Sequence, residues 1–469
     1  MRKLHESLES KLDWYRKWHQ NPTSNLVHYA FLFLFALLMT GVIITFSGSH
    51  AMVATQPPSG ANTAGQTSAS PAVKYPTYQQ IQSALSRPIT MQYMSDDPSI
   101  YPLSQEHQDI QMITALQPSM VGRWAGWWAS SYDTASDQAH FARAKSTADD
   151  IHRADPNAVL EAAILEYVNK TVNNIAIPAW VFTDLGLPVQ KINFDFYAML
   201  YNDYPRNAHH VMQDGAVPDI TKPETQLWYY YRARSYIDAG AEAIHLGQVK
   251  LITEADSGYD SLYTLANEIR AYGAAHARHG YVFLDAHEGT DNLTDQNNKM
   301  IFDFNESPLR PRDAGPALSN VVLEKNYLDS IYGKSAGGTL PDGESVSSAP
   351  YLAEFDNYGI SKHPGTPGNS DYYVFGYDEI TWFSKMAETD RNNWLAYASN
   401  WLKVNDPAGH LEMPGRRVTT LPGVPWPGIY YRADDGYGNQ VSTISCIWSG
   451  SSSCASSVTK PPAKILAPN

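Results

Sequence analysis

Two apolar patterns alternate along residues 76–446. Short runs rich in β-branched and aromatic residues read as eight strands: "MVGRWAGWW" (120–128), "AVLEAAILEYV" (158–168), "NFDFYAMLYND" (193–203), "AEAIHLGQV" (241–249), "YVFLDAH" (281–287), "MIFDFNESP" (300–308), "YLAEFDNYG" (351–359) and "HLEMPG" (410–415). Longer segments with apolar residues three and four apart lie between several of them. They include "TASDQAHFARAKSTADDIHRAD", "ETQLWYYYRARSYIDAG", "YDSLYTLANEIRAYGAAHARHG" and "DEITWFSKMAETDRNNWLAYASNWLKV" (378–404), all with the spacing of amphipathic helices. Two of these helices stop at glycines, Gly240 and Gly280, and feed at once into an apolar strand. Helices that hand over directly to apolar strands imply a parallel sheet, and eight strands match a (β/α)8 TIM-like barrel of the α/β class. An open doubly wound sheet is the alternative.

The pattern changes at both ends. "LVHYAFLFLFALLMTGVIITF" (26–46) contains no acid, Lys or Arg, and about 20 such residues suffice to span a bilayer. Arg2, Lys3, Lys11, Arg16 and Lys17 precede it, and the next basic residue is Lys74, so the positive-inside rule keeps residues 1–25 cytoplasmic. This reads as an uncleaved signal-anchor, with the lipid bilayer as a partner. The folded part then lies outside the cytoplasm. Residues 47–75 are small, polar and Pro/Gly-bearing, the composition of a flexible linker. Residues 76–446 show no linker-like break and read as one domain, and 447–469 as a Ser/Pro-rich tail.

Composition narrows the function. With 43% hydrophobic and 17% charged residues the chain is globular, and a net charge of -14 excludes a general nucleic-acid binder. Twelve Trp and 30 Tyr supply flat rings of the kind that stack on sugars as well as fill a core. Cys446 and Cys454 flank a short loop, and a disulfide between them suits an extracytoplasmic domain.

The strand ends carry the candidate chemistry. Side chains two apart in a strand share a face, which pairs Glu354 with Asp356, Asp285 with His287, and Asp303 with Asn305. The second strand runs to Glu166, and the fourth to His245 and Gln248. All sit toward C-terminal strand ends, where barrel enzymes place their chemistry. Trp124, Trp127 and Trp128 are candidates for a sugar-stacking rim. Arg310, Arg312, Arg416 and Arg417 either bind acidic groups or balance the acids.

This strand-end pattern, over roughly residues 120–415, resembles the barrel glycoside hydrolases, which work with two carboxylates. The resemblance implies that Glu354, on the seventh strand, takes the nucleophile position of the large retaining clan. That clan ends its fourth strand in Asn-Glu, whereas this one reads "HLGQ", so the proton donor has to be Asp285 or Glu166, with Asp356 supporting Glu354. The implied partner is a carbohydrate, and no cofactor is called for. Two alternatives use the same residues. One is a metal-dependent hydrolase of phosphoester or amide bonds built on Asp285, His287, Asp303, Glu354 and Asp356. The other is a surface protein that binds glycans without turnover.

Overall fold

The computed structural model describes residues 73–96, 101, 103–128, 131–207, 209–212, 214–368, 372–420, 430–434 and 440–450. The apolar run 26–46 lies outside them, as does Cys454. Among the described residues no helix is long and apolar enough to cross a membrane.

The strands of the main sheet are β1 (Pro88–Met91), β2 (Met120–Trp127), β3 (Val159–Ile164), β4 (Ala243–His245), β5 (Phe283–Ala286), β6 (Phe304–Pro308), β7 (Tyr351–Glu354), β8 (Gly409–Leu411), β9 (Met413–Val418) and β10 (Tyr430–Arg432). β8 and β9 are two segments of one strand, interrupted at Glu412. β8 pairs with β7 (Tyr351↔Gly409) and β9 pairs with β1 (Ile89↔Met413), both in parallel. The sheet β1 to β7 is thereby closed into an eight-stranded parallel barrel, with β10 added antiparallel to β9.

The helices of the outer layer form as their apolar spacing requires. In α5 (Asp260–His276) the buried residues Leu262, Leu265, Ala266, Ile269 and Gly273 follow three- and four-residue steps. A Cβ at Gly273 would lie 2.7 Å from Val282 Cγ1, so glycine lets the helix close on β5. α3 (Thr134–Ala154) starts at Asp133, whose side chain accepts the Ser136 N–H while Ser136 caps in return. The other principal layers are α2 (Leu103–Leu116), α4 (Pro223–Asp238) and α6 (Glu388–Asn405). Irregular chain and short hairpins replace helices after β5 and β6. Beneath the barrel, α1 (Tyr78–Ala84) brings Ile81 and Leu85 against Met120, Val159, Ala243, Phe283, Phe304 and Leu352, an apolar floor at the strands' N-terminal ends.

Two of the sequence expectations fail, and they offset each other. Residues 193–203 form no barrel strand: the Asp195 carboxylate accepts the Tyr197 and Ala198 N–H groups and winds Phe196–Met199 into a 3-10 turn. The true first strand, β1, is a four-residue run that begins on a proline and carried too little pattern to register. The numbering from the fourth strand onward therefore stands.

Candidate active site

Above the apolar floor the inward-facing residues turn charged. β3 contributes Glu161, β4 His245, β5 Asp285, β6 Glu306, β7 Glu354 and the β8–β9 junction Glu412, and each is 0% exposed. β2 has no room for a side chain here, because a Cβ at Gly122 would lie 2.1 Å from Glu412 Oε1. The next residue, Arg123, takes φ 55°, and the pairing of β2 with β3 slips between Val121 and Ala125. This bulge turns Arg123 into the barrel next to Gly122.

Arg123 is the hub. Its Nη2 lies 2.9 Å from Glu354 Oε1 and 3.0 Å from Glu306 Oε1. Its backbone N–H donates to Glu161 Oε2 at 3.2 Å. Glu354 is held from its other side by Arg417, whose Nη2 lies 2.5 Å from Oε2 and whose Nε donates to the Phe355 carbonyl at 2.9 Å. Asp356 lies 3.7 Å from the same Nη2, so the pair predicted to share a face does converge on one guanidinium.

The histidines divide by tautomer. His245 Nδ1 hydrogen-bonds Asp285 Oδ2 at 2.6 Å and lies 3.0 Å from Glu306 Oε2, an arrangement that a protonated Nδ1 suits. Its Nε2 faces Arg123 Nη2 at 3.4 Å as acceptor, which makes the ring neutral. Burial pulls its pKa down to about 4, in agreement. His287 Nε2 lies 2.9 Å from Glu354 Oε1, and with a side chain 12% exposed it is the most open of the group.

These contacts drive the carboxylates apart. Burial pushes the Glu354 carboxyl up, but Arg123 and Arg417 outweigh it and hold the group well below the usual carboxylate range. Burial opposes ionisation of Glu306 too, and Arg123 and His245 again prevail. At Glu161, Asp285 and Glu412 the balance reverses, and Arg123 is outweighed. Burial, reinforced by the neighbouring carboxylates, pushes all three well above the ordinary value.

The sequence-predicted residues thus separate. Glu354, Asp356, Asp285, His245 and His287 come together. Glu166 does not join them: its two oxygens accept the Gln248 backbone and side-chain N–H groups, both at 3.0 Å, and brace the loops after β3 and β4. Gly247, at φ 62°, admits it, since a Cβ there would lie 2.3 Å from Glu166 Oε2. Asp303 and Asn305 face away from the interior. Asp303 pairs with Arg270 of α5 at 2.9 Å, and Asn305 holds the Gly289 carbonyl at 2.7 Å. The inward residues of β6 are Phe304 and Glu306, so the expected face was one residue out of step, and in a strand one step reverses the face. Trp124 is fully buried in the outer core, and Trp127 meets His140 of α3 edge-on at 5.5 Å. Trp128, stacked on Tyr167 at 5.7 Å, remains at the rim. Arg123, Glu161, Glu306 and Glu412 were missed. For Glu161 and Glu412 the signal was a charged residue inside an apolar run, "VLEAAI" and "HLEMPG".

No family model and no curated protein matches the chain. Solved structures do. The type III pullulan hydrolase from Thermococcus kodakarensis aligns with 80% of this chain and 66% of its own, at 11% identity and a TM-score of 0.41. The cyclic alpha-maltosyl-(1→6)-maltose hydrolase from Arthrobacter globiformis, complexed with maltose, covers 78% and 83% at 11% identity and 0.42. The acarbose-soaked debranching enzyme of Nostoc punctiforme covers 78% and 81% at 13% identity and 0.36. The chain resembles glycoside hydrolases. At these identities and TM-scores the likeness is distant, and the chemistry has to come from the barrel's own side chains.

Proposed function

We propose that the protein is a membrane-anchored, extracytoplasmic glycoside-hydrolase-like enzyme acting on glycans. The observation that carries this reading is the separation of charge states at the top of the barrel. Glu354 is kept ionised by two guanidiniums, while the carboxyls of Asp285 and Glu412 on other strands are pushed toward the protonated form. A fixed anion beside a proton supply is what an oxocarbenium-like transition state needs. Glu354 supplies the negative charge. His287, whose Nε2 lies between Glu354 and Arg123 Nη2 and whose side chain opens to the mouth, is the group placed to act as acid, in place of Asp285 or Glu166. Asp285 stands behind His245 and orients that ring. Trp128 with Tyr167 offers the sugar a flat surface at the rim. Residues 26–46 anchor the chain with the N-terminus in the cytoplasm, and Cys446 pairs with Cys454 in the oxidising compartment beyond.

The test is a glycan library screened with the purified full chain, followed by Glu354→Gln and His287→Asn on the hit. Each variant is expected to lose at least about 10²-fold in turnover, the usual scale for removing an acid–base group. Turnover is normalised to the folded fraction, because Glu354→Gln also deprives Arg123 and Arg417 of their charged partner. A folded Glu354→Gln protein with wild-type turnover overturns the reading. One observation favours a second: Glu354 is 0% exposed, as in a barrel that binds glycans without cleaving them. Glycan binding without turnover by the wild type would establish that.

A further inference from the structure

The charged layer of the barrel contains more acid than its fixed cations balance. Glu161, Asp285, Glu306, Glu354 and Glu412 are five fully buried carboxylates. They face the guanidiniums of Arg123 and Arg417, and His245 is neutral. Fully ionised, the five would leave three negative charges without a fixed counter-charge, in a setting where an isolated ion is strongly disfavoured. The open atoms cluster. Both oxygens of Glu412 lack a hydrogen-bond partner, as do Glu161 Oε1 and Asp285 Oδ1. One oxygen each from Glu161, Asp285 and Glu306 lie within 4.8 Å of one another, and Glu306 stands in the same relation to Glu354 and Glu412.

We propose that this layer binds one hard divalent cation, calcium by preference, held by Glu161, Asp285 and Glu306 with Glu412 facing it from the opposite wall. The donors are all carboxylate oxygens, which suit calcium, magnesium or manganese and disfavour softer ions. A calcium–oxygen bond is about 2.3–2.6 Å, so oxygens within 4.8 Å of one another can be spanned by a single ion. His245 Nδ1–H touches Asp285 and Glu306 together and fixes both as a pair, the outer contact that metal-ligating carboxylates usually have. Glu354 is set apart by Arg417, which pairs with it and with none of the proposed ligands. The ion is therefore a structural counter-charge, separate from the group assigned to the chemistry. Gly122 also belongs to this design: any side chain there would occupy the space of the Glu412 carboxylate.

The test needs no substrate. The full chain is purified in detergent with 1 mM calcium chloride, dialysed, and its bound calcium measured by elemental analysis. About one ion per chain is expected. EDTA should lower the melting temperature by about 5 °C or more, calcium should restore it, and magnesium should do so less well. Glu412→Gln and Glu161→Gln should each abolish the calcium-dependent shift. If protons alone balance the charge, the wild type will retain less than about 0.1 ion and melt alike in EDTA and calcium, and the proposal fails. Should both variants fail to fold, the ion count on the wild type still decides. The glycan reading can fail while the ion count holds, and the reverse.

Discussion

Replacing Arg417 by methionine tests whether a buried ion pair, rather than shape, holds the top of the barrel. The side chain is 0% exposed and methionine fills most of its apolar volume. Two hydrogen bonds disappear, the 2.5 Å bond from Nη2 to Glu354 and the 2.9 Å bond from Nε to the Phe355 carbonyl, together with the 3.7 Å ion contact to Asp356. A hydrogen bond with a charged partner contributes about 1.5–3 kcal/mol, and both of these have the guanidinium as donor. Their sum agrees with the roughly 3–5 kcal/mol lost when one partner of a buried pair is removed. At about 2–4 °C per kcal/mol, the melting temperature at pH 7 should fall on the order of 10 °C. The pH dependence supplies the sign. Glu354 is depressed in the folded state, so its stabilising contribution is present above the ordinary carboxylate range and lost as pH falls through its folded value. Without Arg417 that folded value rises, so the variant has less of this contribution to lose as pH falls. The gap between variant and wild type should therefore narrow between pH 7 and pH 4, as Glu354 takes up a proton in the variant. Arg417→Lys should recover part of the loss, since it restores charge without the two-atom fork. A variant melting within about 1 °C of wild type at pH 7, or a gap that does not change with pH, refutes the reasoning.

Two further outcomes are expected. Burial pushes the Glu288 carboxyl up to about 8, although it accepts the Leu293 N–H at 2.6 Å. Its favourable contribution is complete below the unfolded value and fades as pH rises to about 8, so Glu288→Gln should stabilise the protein at pH 8.5 by on the order of 2–4 kcal/mol and change little at pH 4 in denaturant titrations; no gain at pH 8.5 counts against a buried, raised carboxyl. A tag at the N-terminus should be protected from protease in intact cells and one at residue 469 exposed, with no free thiol in the unreduced chain; two protected tags or stoichiometric thiol labelling would refute the proposed anchor and disulfide.

The barrel was legible in the sequence because its grammar is local. Helices that end at Asp238 and His276, each with a glycine (Gly240, Gly280) before the next apolar strand, follow the order of a parallel sheet. β1 was not legible, since four residues starting on a proline carry almost no periodicity. The site was half legible. Glu354 and Asp285 stood out because each ends an apolar run. Glu306 was lost because its neighbours Asp303 and Asn305 are equally polar, and parity alone could not say which face turned inward. Arg123 was hidden by a bulge that no alternation rule anticipates, inside a tryptophan-rich stretch that drew attention to the rings. Glu161 and Glu412 violate the expectation that a barrel interior is apolar, and that violation was the available clue.

The closure of the barrel has a consequence for how the chain reaches this state. The seam joins β1 to β9, and the Val418 N–H meets Gln92 Oε1 at 2.9 Å across 326 residues of sequence. Contacts of such separation are the slowest to form, because the intervening chain must be ordered first. Until residues 409–418 arrive, β1 and β7 are open sheet edges, prone to pairing with other chains. The same segment carries Glu412 and Arg417. Before it docks, Glu354 lacks one of its two arginines and the interior acids are still wet. Shutting the seam and drying the charges are thus one event, late in synthesis, and a chain stopped short of residue 409 would keep both its edges and its acids in water.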